Sequence, residues 1–248
     1  MVIGIIPARY ASSRFPGKPL AMIGGKSMIQ RVYEQALAAR HLDAVVVATD
    51  DARIYEHVAG FGGEVRYTRT EHPSGTDRCA EVALQFPEAQ WILNIQGDEP
   101  FIQPEQIDLL AGTLMQQSRF PVATLAKQID NQEVLLNPNV VKVVFSQRAG
   151  ALYFSRHPIP FVRGKNAGEW LKGQAFYKHI GLYGFRRSTL LKIARLKPST
   201  LELAESLEQL RWLEQGYRIA VGVTDLETVG IDTPEDLGRL QALNKMNS

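Results

Sequence analysis

Short apolar runs alternate with amphipathic stretches through the first half of the chain. Residues 2–7, VIGIIP, form a continuous apolar run, as a strand buried on both faces does. Met28, Ile29, Val32, Tyr33, Ala36 and Leu37 recur at helical spacing and predict a helix over 27–40. The β-branched run at 44–49 predicts a second strand, and 51–60, ended by Gly60, a short helix. A third strand is expected at 64–67, a helix at 76–86 and a fourth strand at 91–95. A helix with Pro104 in its first turn follows at 104–117. Strands and helices alternating through short loops predict βαβ units on a mostly parallel sheet, an α/β fold. Such sheets bind ligands beyond the carboxyl ends of their strands. The loop after the first strand, ATDD at 48–51 and QGDEP at 96–100 all fall there.

The second half changes character. Segments 122–129, 140–145, 151–154 and 180–185 read as strands with fewer helices between them, and 156–178 as an excursion covering one face. Ser199-Thr200-Leu201-Glu202 has the form of a capping box. The helix after it is expected to run to about Gln215, with Leu203, Leu207, Leu210 and Leu213 on one face and Gly216 as its stop. Residues 217–223 return as a strand and 234–243 as the last helix, capped by Asp232 or Thr233. No composition shift marks a boundary, so one domain with an inserted arm is expected over 1–248.

Composition narrows the function classes. The 248 residues carry 28 basic and 26 acidic side chains, a formal net charge of +2. Bulk charge therefore does not make this a polyanion binder, and any anion site is a local cluster. Cys79 is the one cysteine, so no intramolecular disulfide forms, and a small buried residue is expected there. No run approaches the ~18 apolar residues of a membrane span, and the N-terminus lacks the basic start of a signal peptide. These features predict a cytoplasmic protein that binds neither nucleic acid nor membrane.

The cluster lies in IIPARYASSRFPGKPL, residues 5–20, where Arg9, Arg14 and Lys18 follow the first strand with Ser12, Ser13 and Gly17 between them. It reads as a solvated loop or as an anion cradle. Arginine offers a planar fork to phosphate oxygens, lysine a mobile point charge, and backbone N–H groups near Ser13 add donors. A Walker A loop is excluded: Gly25-Lys26-Ser27 supplies its end, but its first glycine would fall at Leu20. The Rossmann G-x-G-x-x-G fingerprint is also missing after the first strand.

Asp98, at the end of a parallel strand, is placed either as a turn residue or as a Mg²⁺ ligand, since Mg²⁺ takes oxygen donors and often only one or two carboxylates. Asp232 completes such a site only if the fold brings it to Asp98, and otherwise caps the last helix. In HPSGTDR, residues 72–78, Ser74, Gly75 and Thr76 suit a flat base and Arg78 an anion, or the stretch is a plain turn before a helix. Arg156, His179, Glu208 and Gln209 sit beside core-like residues and together suit a polyhydroxylated acid. No zinc spacing and no serine or cysteine triad stands out.

Taken in order, IIPARYASSRFPGKPL, VATDD, SGTDR, NIQGDEP, NPNVVKVV, ALYFSR, HIGLYGF, LEQLR and GIDTPEDL resemble the 3-deoxy-manno-octulosonate cytidylyltransferase family from about residue 3 to 240. The resemblance implies a Rossmann-like nucleotidyltransferase fold with a mostly parallel mixed sheet, helices on its faces and a dimerisation arm near 156–178. Its nucleotide-binding half would cover about 1–120, and its sugar-binding and dimerisation half about 121–248. It implies transfer of CMP from CTP to 3-deoxy-D-manno-octulosonate (Kdo) for lipopolysaccharide synthesis, with Mg²⁺, in a homodimer.

Carried over by position, Pro7, Ala8, Arg9, Ser13, Arg14 and Lys18 face the nucleotide, and Ser74, Gly75 and Thr76 lie by the cytosine. Asp98 and Asp232 hold the metal, and Lys18, Arg14, Asp98 and Asp232 are the catalytic set. Gln96 touches nucleotide and sugar, while Arg78, Arg156, His179, Tyr183, Glu208 and Gln209 touch the sugar. Phe185 departs from a tyrosine common in the family. The alternatives are a cytidylyltransferase for 8-amino-Kdo or another acidic sugar, and a non-catalytic nucleotide sensor. A kinase or NTPase is disfavoured by the failed Walker A pattern.

Overall fold

A computed structural model describes residues 1–11, 15–116, 119–228, 230–231 and 233–239. Residues Met1–Asp108 and those from Thr228 onward form one compact unit, and Leu109–Glu227 form another.

The first unit is built on four parallel strands. They are β1 (Val2–Ala8), β2 (Ala44–Thr49), β3 (Val65–Tyr67) and β4 (Trp91–Asn94), in the order β4-β1-β2-β3. Ile3, Ile5 and Ile6 are fully buried, as a central strand covered on both faces requires. Between the strands run α1 (Met28–Leu37), α2 (Ala52–Gly60) and α3 (Gly75–Leu84), and α4 (Pro104–Gln116) contains the boundary at Asp108.

Each crossover helix starts on a residue type that favours the N-cap. The Ser27 hydroxyl accepts from Gln30 N–H at 3.2 Å, Asp51 Oδ1 from Arg53 N–H at 2.9 Å and the Ser74 hydroxyl from Asp77 N–H at 3.2 Å. Met28, Ile29, Val32 and Ala36 of the predicted α1 face are fully buried and Tyr33 is nearly so, whereas Leu37, expected on the same face, is exposed. Each large buried aliphatic in that row contributes roughly 1.5–3 kcal/mol by leaving water. Cys79 is fully buried, as expected.

The second unit contains β5 (Val122–Ile129), α5 (Gln132–Leu136), β6 (Lys142–Phe145), β7 (Ala151–Ser155) and β8 (Phe176–Arg186). It continues through α6 (Arg187–Ile193), α7 (Thr200–Glu205) and α8 (Glu208–Glu214) to β9 (Ile219–Val223). Strand β9 runs parallel to β5, and the β5–β8, β8–β6 and β6–β7 pairs are antiparallel. The sheet here is therefore mixed, where the first unit's is parallel. The excursion ends at Phe176 rather than at 178, because Phe176 already pairs with Ile129. Trp170, Phe176, Ile129 and Leu135 form a small core under it.

One expectation fails. The long helix after Ser199 is two helices. Its capping box forms, with Ser199 and Glu202 bonding each other's backbone. The chain then breaks at Ser206, which takes a left-handed φ of 53°, and Leu207 restarts it in extended conformation. The break takes Leu203 off the common apolar face: it is exposed, while Leu207 and Leu210 are buried. Two short helices, α5 and α6, were not expected at all. The last helix is seen at 234–239, and its expected end lies outside the described residues.

Candidate active site

A cavity of about 260 Å³ opens in the first unit where β1, β4 and α3 converge. The carboxyl end of β1 supplies Pro7, Ala8 and Arg9, and the turn after β4 supplies Gln96, Gly97 and Asp98. The start of α3 supplies His72, Pro73, Ser74, Gly75 and Arg78. Lys18 and Pro19 close the remaining side. The site thus lies where a parallel sheet predicts it.

Glycine is required at two points of this frame. Gly17 takes φ 72° and donates its N–H to the Tyr10 carbonyl at 2.9 Å, turning the chain so that Lys18 follows at the cavity. Gly97 lies against β1, where a Cβ would meet the Pro7 carbonyl oxygen at 3.0 Å.

Lys18 Nζ donates to Asp98 Oδ2 at 2.7 Å. The pair joins the first loop to the end of β4 and places a cation and a carboxylate side by side in the cavity lining. The α3 amino terminus, at Ser74 and Gly75, also opens there, and its partial positive charge suits an anionic ligand. Thr76 is buried in the first turn of α3 and is not among the lining residues. The Gln96 amide reaches Asn94 Oδ1 at 3.5 Å.

Arg78 is 4% exposed. It donates to the Thr68 hydroxyl and faces Asp50 Oδ2 at 3.4 Å. The ATDD stretch therefore has two tasks: Asp50 anchors Arg78, and Asp51 caps α2. Sequence reasoning passed over His72, although it belongs to the same short block. Its Nε2 bonds Glu81 Oε2, which also accepts the Arg69 N–H at 3.1 Å. Burial pushes the Glu81 carboxyl up, but these two bonds outweigh it and hold its pKa below the usual range.

Ser13, Arg14 and Asp232 lie outside the described residues. The neighbours of Asp232 are informative. Ile231 donates its N–H to the Asp98 carbonyl at 2.9 Å and is fully buried against Ile23 and Met28. Thr233 and Asp236 bond each other's backbone N–H at 3.0 and 3.2 Å, so Thr233 starts the final helix. No group of three potential metal ligands occurs among the described residues. Asp98 is the described carboxylate of the cavity lining, and its oxygens suit a hard cation such as Mg²⁺.

The remaining candidates lie in the second unit. Arg156 donates to the carbonyls of Glu205 at 2.7 Å, Pro138 at 3.2 Å and Ser206 at 3.3 Å, which makes it a clamp on the carboxyl end of α7. His179 and Tyr183 lie on β8, with ring centroids 5.3 Å apart. Burial pushes the His179 imidazole down to about 3. The Tyr183 hydroxyl is buried, and Thr124 approaches it without meeting hydrogen-bond geometry. Burial first, then the Glu208 carboxylate, raise that phenol well above its ordinary value. Glu208 is half-buried and Gln209 buried at the start of α8, where Arg211 lies 3.7 Å from Glu208. Phe185 is fully buried, packed edge-on against Trp212 at 5.3 Å.

Comparison with known proteins shows the family. A family model described as Cytidylyltransferase matches residues 3–219. The 3-deoxy-manno-octulosonate cytidylyltransferase of Cytophaga hutchinsonii is 55% identical over 241 residues, 96% of each chain. That of Parabacteroides distasonis is 56% identical over 245 residues, 97% of this chain and 96% of that one. The solved structure of CMP:2-keto-3-deoxy-manno-octonic acid synthetase complexed with CTP matches with a TM-score of 0.91 and 43% identity, covering 100% of this chain and 99% of that one.

Proposed function

We propose how the site works from the premise that this chain belongs to the 3-deoxy-manno-octulosonate cytidylyltransferase family. The reaction is transfer of CMP from CTP to the anomeric hydroxyl of Kdo, with release of pyrophosphate. The observation that carries the reading is the Lys18–Asp98 pair, set in one cavity with the amino end of α3.

The chemistry is an in-line displacement. The sugar's anomeric oxygen attacks the α-phosphorus, that P–O bond forms, and the bond to pyrophosphate breaks. Such a reaction depends mainly on positioning and charge stabilisation. Arg9 and Lys18, with Arg14, meet the phosphates, and the Lys18 ammonium is a mobile charge for the leaving pyrophosphate. Ser74 and Gly75 hold the base at the start of α3, and Gly75 keeps that approach open because a Cβ would touch Pro7 at 3.2 Å. Arg78 and Gln96 line the same cavity toward the acceptor. Arg156, His179, Tyr183, Glu208 and Gln209 serve the sugar's carboxylate and hydroxyls. Asp98, together with Asp232, would hold magnesium, which when bound neutralises phosphate charge and lowers the pKa of the attacking hydroxyl.

The working form we propose is a cytoplasmic homodimer. Leu136, Leu152, Phe161 and Leu203 of the second unit are exposed apolar side chains, which a protein partner would cover. No helix among the described residues is long and apolar enough to cross a membrane.

The deciding assay follows pyrophosphate release from CTP and Mg²⁺ with Kdo, with 8-amino-Kdo and with no acceptor. Release that requires Kdo is expected. CTP binding without release under any of the three conditions would make the protein a nucleotide sensor instead.

A further inference from the structure

The β5–β8 ladder runs in register to Ile180 opposite Leu125, then resumes with Tyr183 opposite Thr124. Gly181 and Leu182 are therefore extra residues in a bulge, and His179 and Tyr183 stand on either side of it. Bulges re-aim side chains and leave backbone groups off the ladder. Thr124, fully buried, fills this one. Its hydroxyl lies 2.7 Å from the Leu182 carbonyl, 3.1 Å from the Ile180 carbonyl and 2.9 Å from His179 Nε2.

A hydroxyl has one proton and two lone pairs. Neither carbonyl can donate, so the Thr124 proton goes to them, chiefly to Leu182 at the shorter distance. A lone pair is then what faces His179 Nε2, and that nitrogen has to carry the hydrogen. The reverse arrangement would point hydroxyl lone pairs at two carbonyl oxygens. His179 Nδ1 has no hydrogen-bond partner among the described residues. Burial also disfavours the doubly protonated ring.

We propose that Thr124 is a positioning residue for sugar recognition: it fixes His179 as the Nε2–H tautomer, so that Nδ1 offers a lone pair to a hydroxyl of the substrate. The identity of that hydroxyl as one of Kdo's rests on the reading above, whereas the tautomer does not. The same hydroxyl ties down the bulge, so one side chain sets both the direction of the ring and its donor–acceptor sense.

The test uses the full ¹⁵N-labelled chain. Two-bond proton–nitrogen spectra at neutral pH report the tautomer of each histidine, with His179→Gln assigning the signal. Wild type is expected to show a protonated Nε2 and an unprotonated Nδ1. Thr124→Val keeps the shape and removes the hydroxyl. It is expected to give a tautomer mixture and about a tenfold higher KM for Kdo, with KM for CTP unchanged. Thr124→Ser is expected to restore both. A role confined to stitching the bulge would lower thermal stability and leave the tautomer alone.

A ring protonated on Nδ1 in wild type overturns the proposal, as does a valine variant with wild-type tautomer and KM. If the valine variant does not fold, the wild-type spectrum and the serine variant still decide. Absence of any Kdo turnover in wild type would instead overturn the reaction assigned above, so the two failures are distinct.

Discussion

Lys18 and Asp98 stand 80 positions apart and meet at 2.7 Å. Each was legible alone, as a cation after the first strand and a carboxylate at the end of a parallel one. Their pairing was not, because contact order is a property of the fold. The Asp98 side chain is 32% exposed, so it contributes little to the core and its replacement tests chemistry. Asp98→Asn should lower turnover at least a hundredfold, about 2.7 kcal/mol at ~1.36 per decade, with an unchanged circular dichroism spectrum. Turnover within threefold of wild type would remove the metal role. Lys18→Ala should weaken CTP binding by titration calorimetry or slow pyrophosphate release. A variant that does neither would leave the cradle without its central cation. Gly97→Ala acts differently, because its Cβ would press on a backbone oxygen 3.0 Å away. Relieving that contact means moving β1 from the turn after β4. About 1–3 kcal/mol of stability should be lost, read as a lower urea midpoint.

At the scale of elements, the capping box at Ser199 was read correctly because it acts locally. The equally local caps Ser27, Asp51 and Ser74 were not named as caps, and letters that act at a distance were not read. Ser27, Asp51, Ser74 and Ser199 are caps because their side chains bond backbone two or three residues on, which a sequence displays directly. The break at Ser206 was invisible, since a left-handed serine carries none of glycine's signal. Its stabilisation is tertiary: Arg211 holds Glu202 with two bonds of 2.8 and 2.6 Å and also donates to the Leu196 carbonyl. Lys142 shows the same limit more sharply. A lysine in a strand reads as solvated, yet this one is fully buried and donates to the carbonyls of Asn137, Val140 and Arg156 at 2.6–2.9 Å. Burial, more than the opposing pull of Glu205, lowers its pKa. Lys142→Met fills the space but strands three carbonyls. It should cost about 3 kcal/mol in urea denaturation, and a change under about 0.5 would show that water replaces the ammonium.

At the scale of the whole molecule, the carboxylates with resolved acid–base shifts and His179 point in one direction on acidification. Asp108 is typical of the carboxylates. Burial pushes it up, but bonds from His41 and Arg40 outweigh burial and lower its pKa. The stability it contributes is present above its unfolded value near 3.8 and is lost as pH falls through the lower folded value. His179 loses stability in the same direction but starts at higher pH. Its folded pKa, about 3, lies below the ordinary 6.5, so between those values the unfolded chain binds the proton and the folded chain does not. Folding free energy therefore declines as pH drops from about 6.5 toward 3, with a slope from this residue of at most ~1.4 kcal/mol per pH unit. Above pH 7 the residue is neutral in both states and contributes no slope. The molecule should thus begin to weaken before its carboxylates titrate. Urea midpoints of wild type and His179→Gln at pH 8, 6.5, 5.5 and 4.5 isolate the effect. The two should differ by a constant amount between pH 8 and 7, and the wild type's advantage should shrink steadily below about 6.5. Parallel curves down to pH 4.5 would mean that the imidazole protonates freely in place, and that water reaches the ring from the sugar side more easily than its packing against Phe154 and Tyr183 indicates.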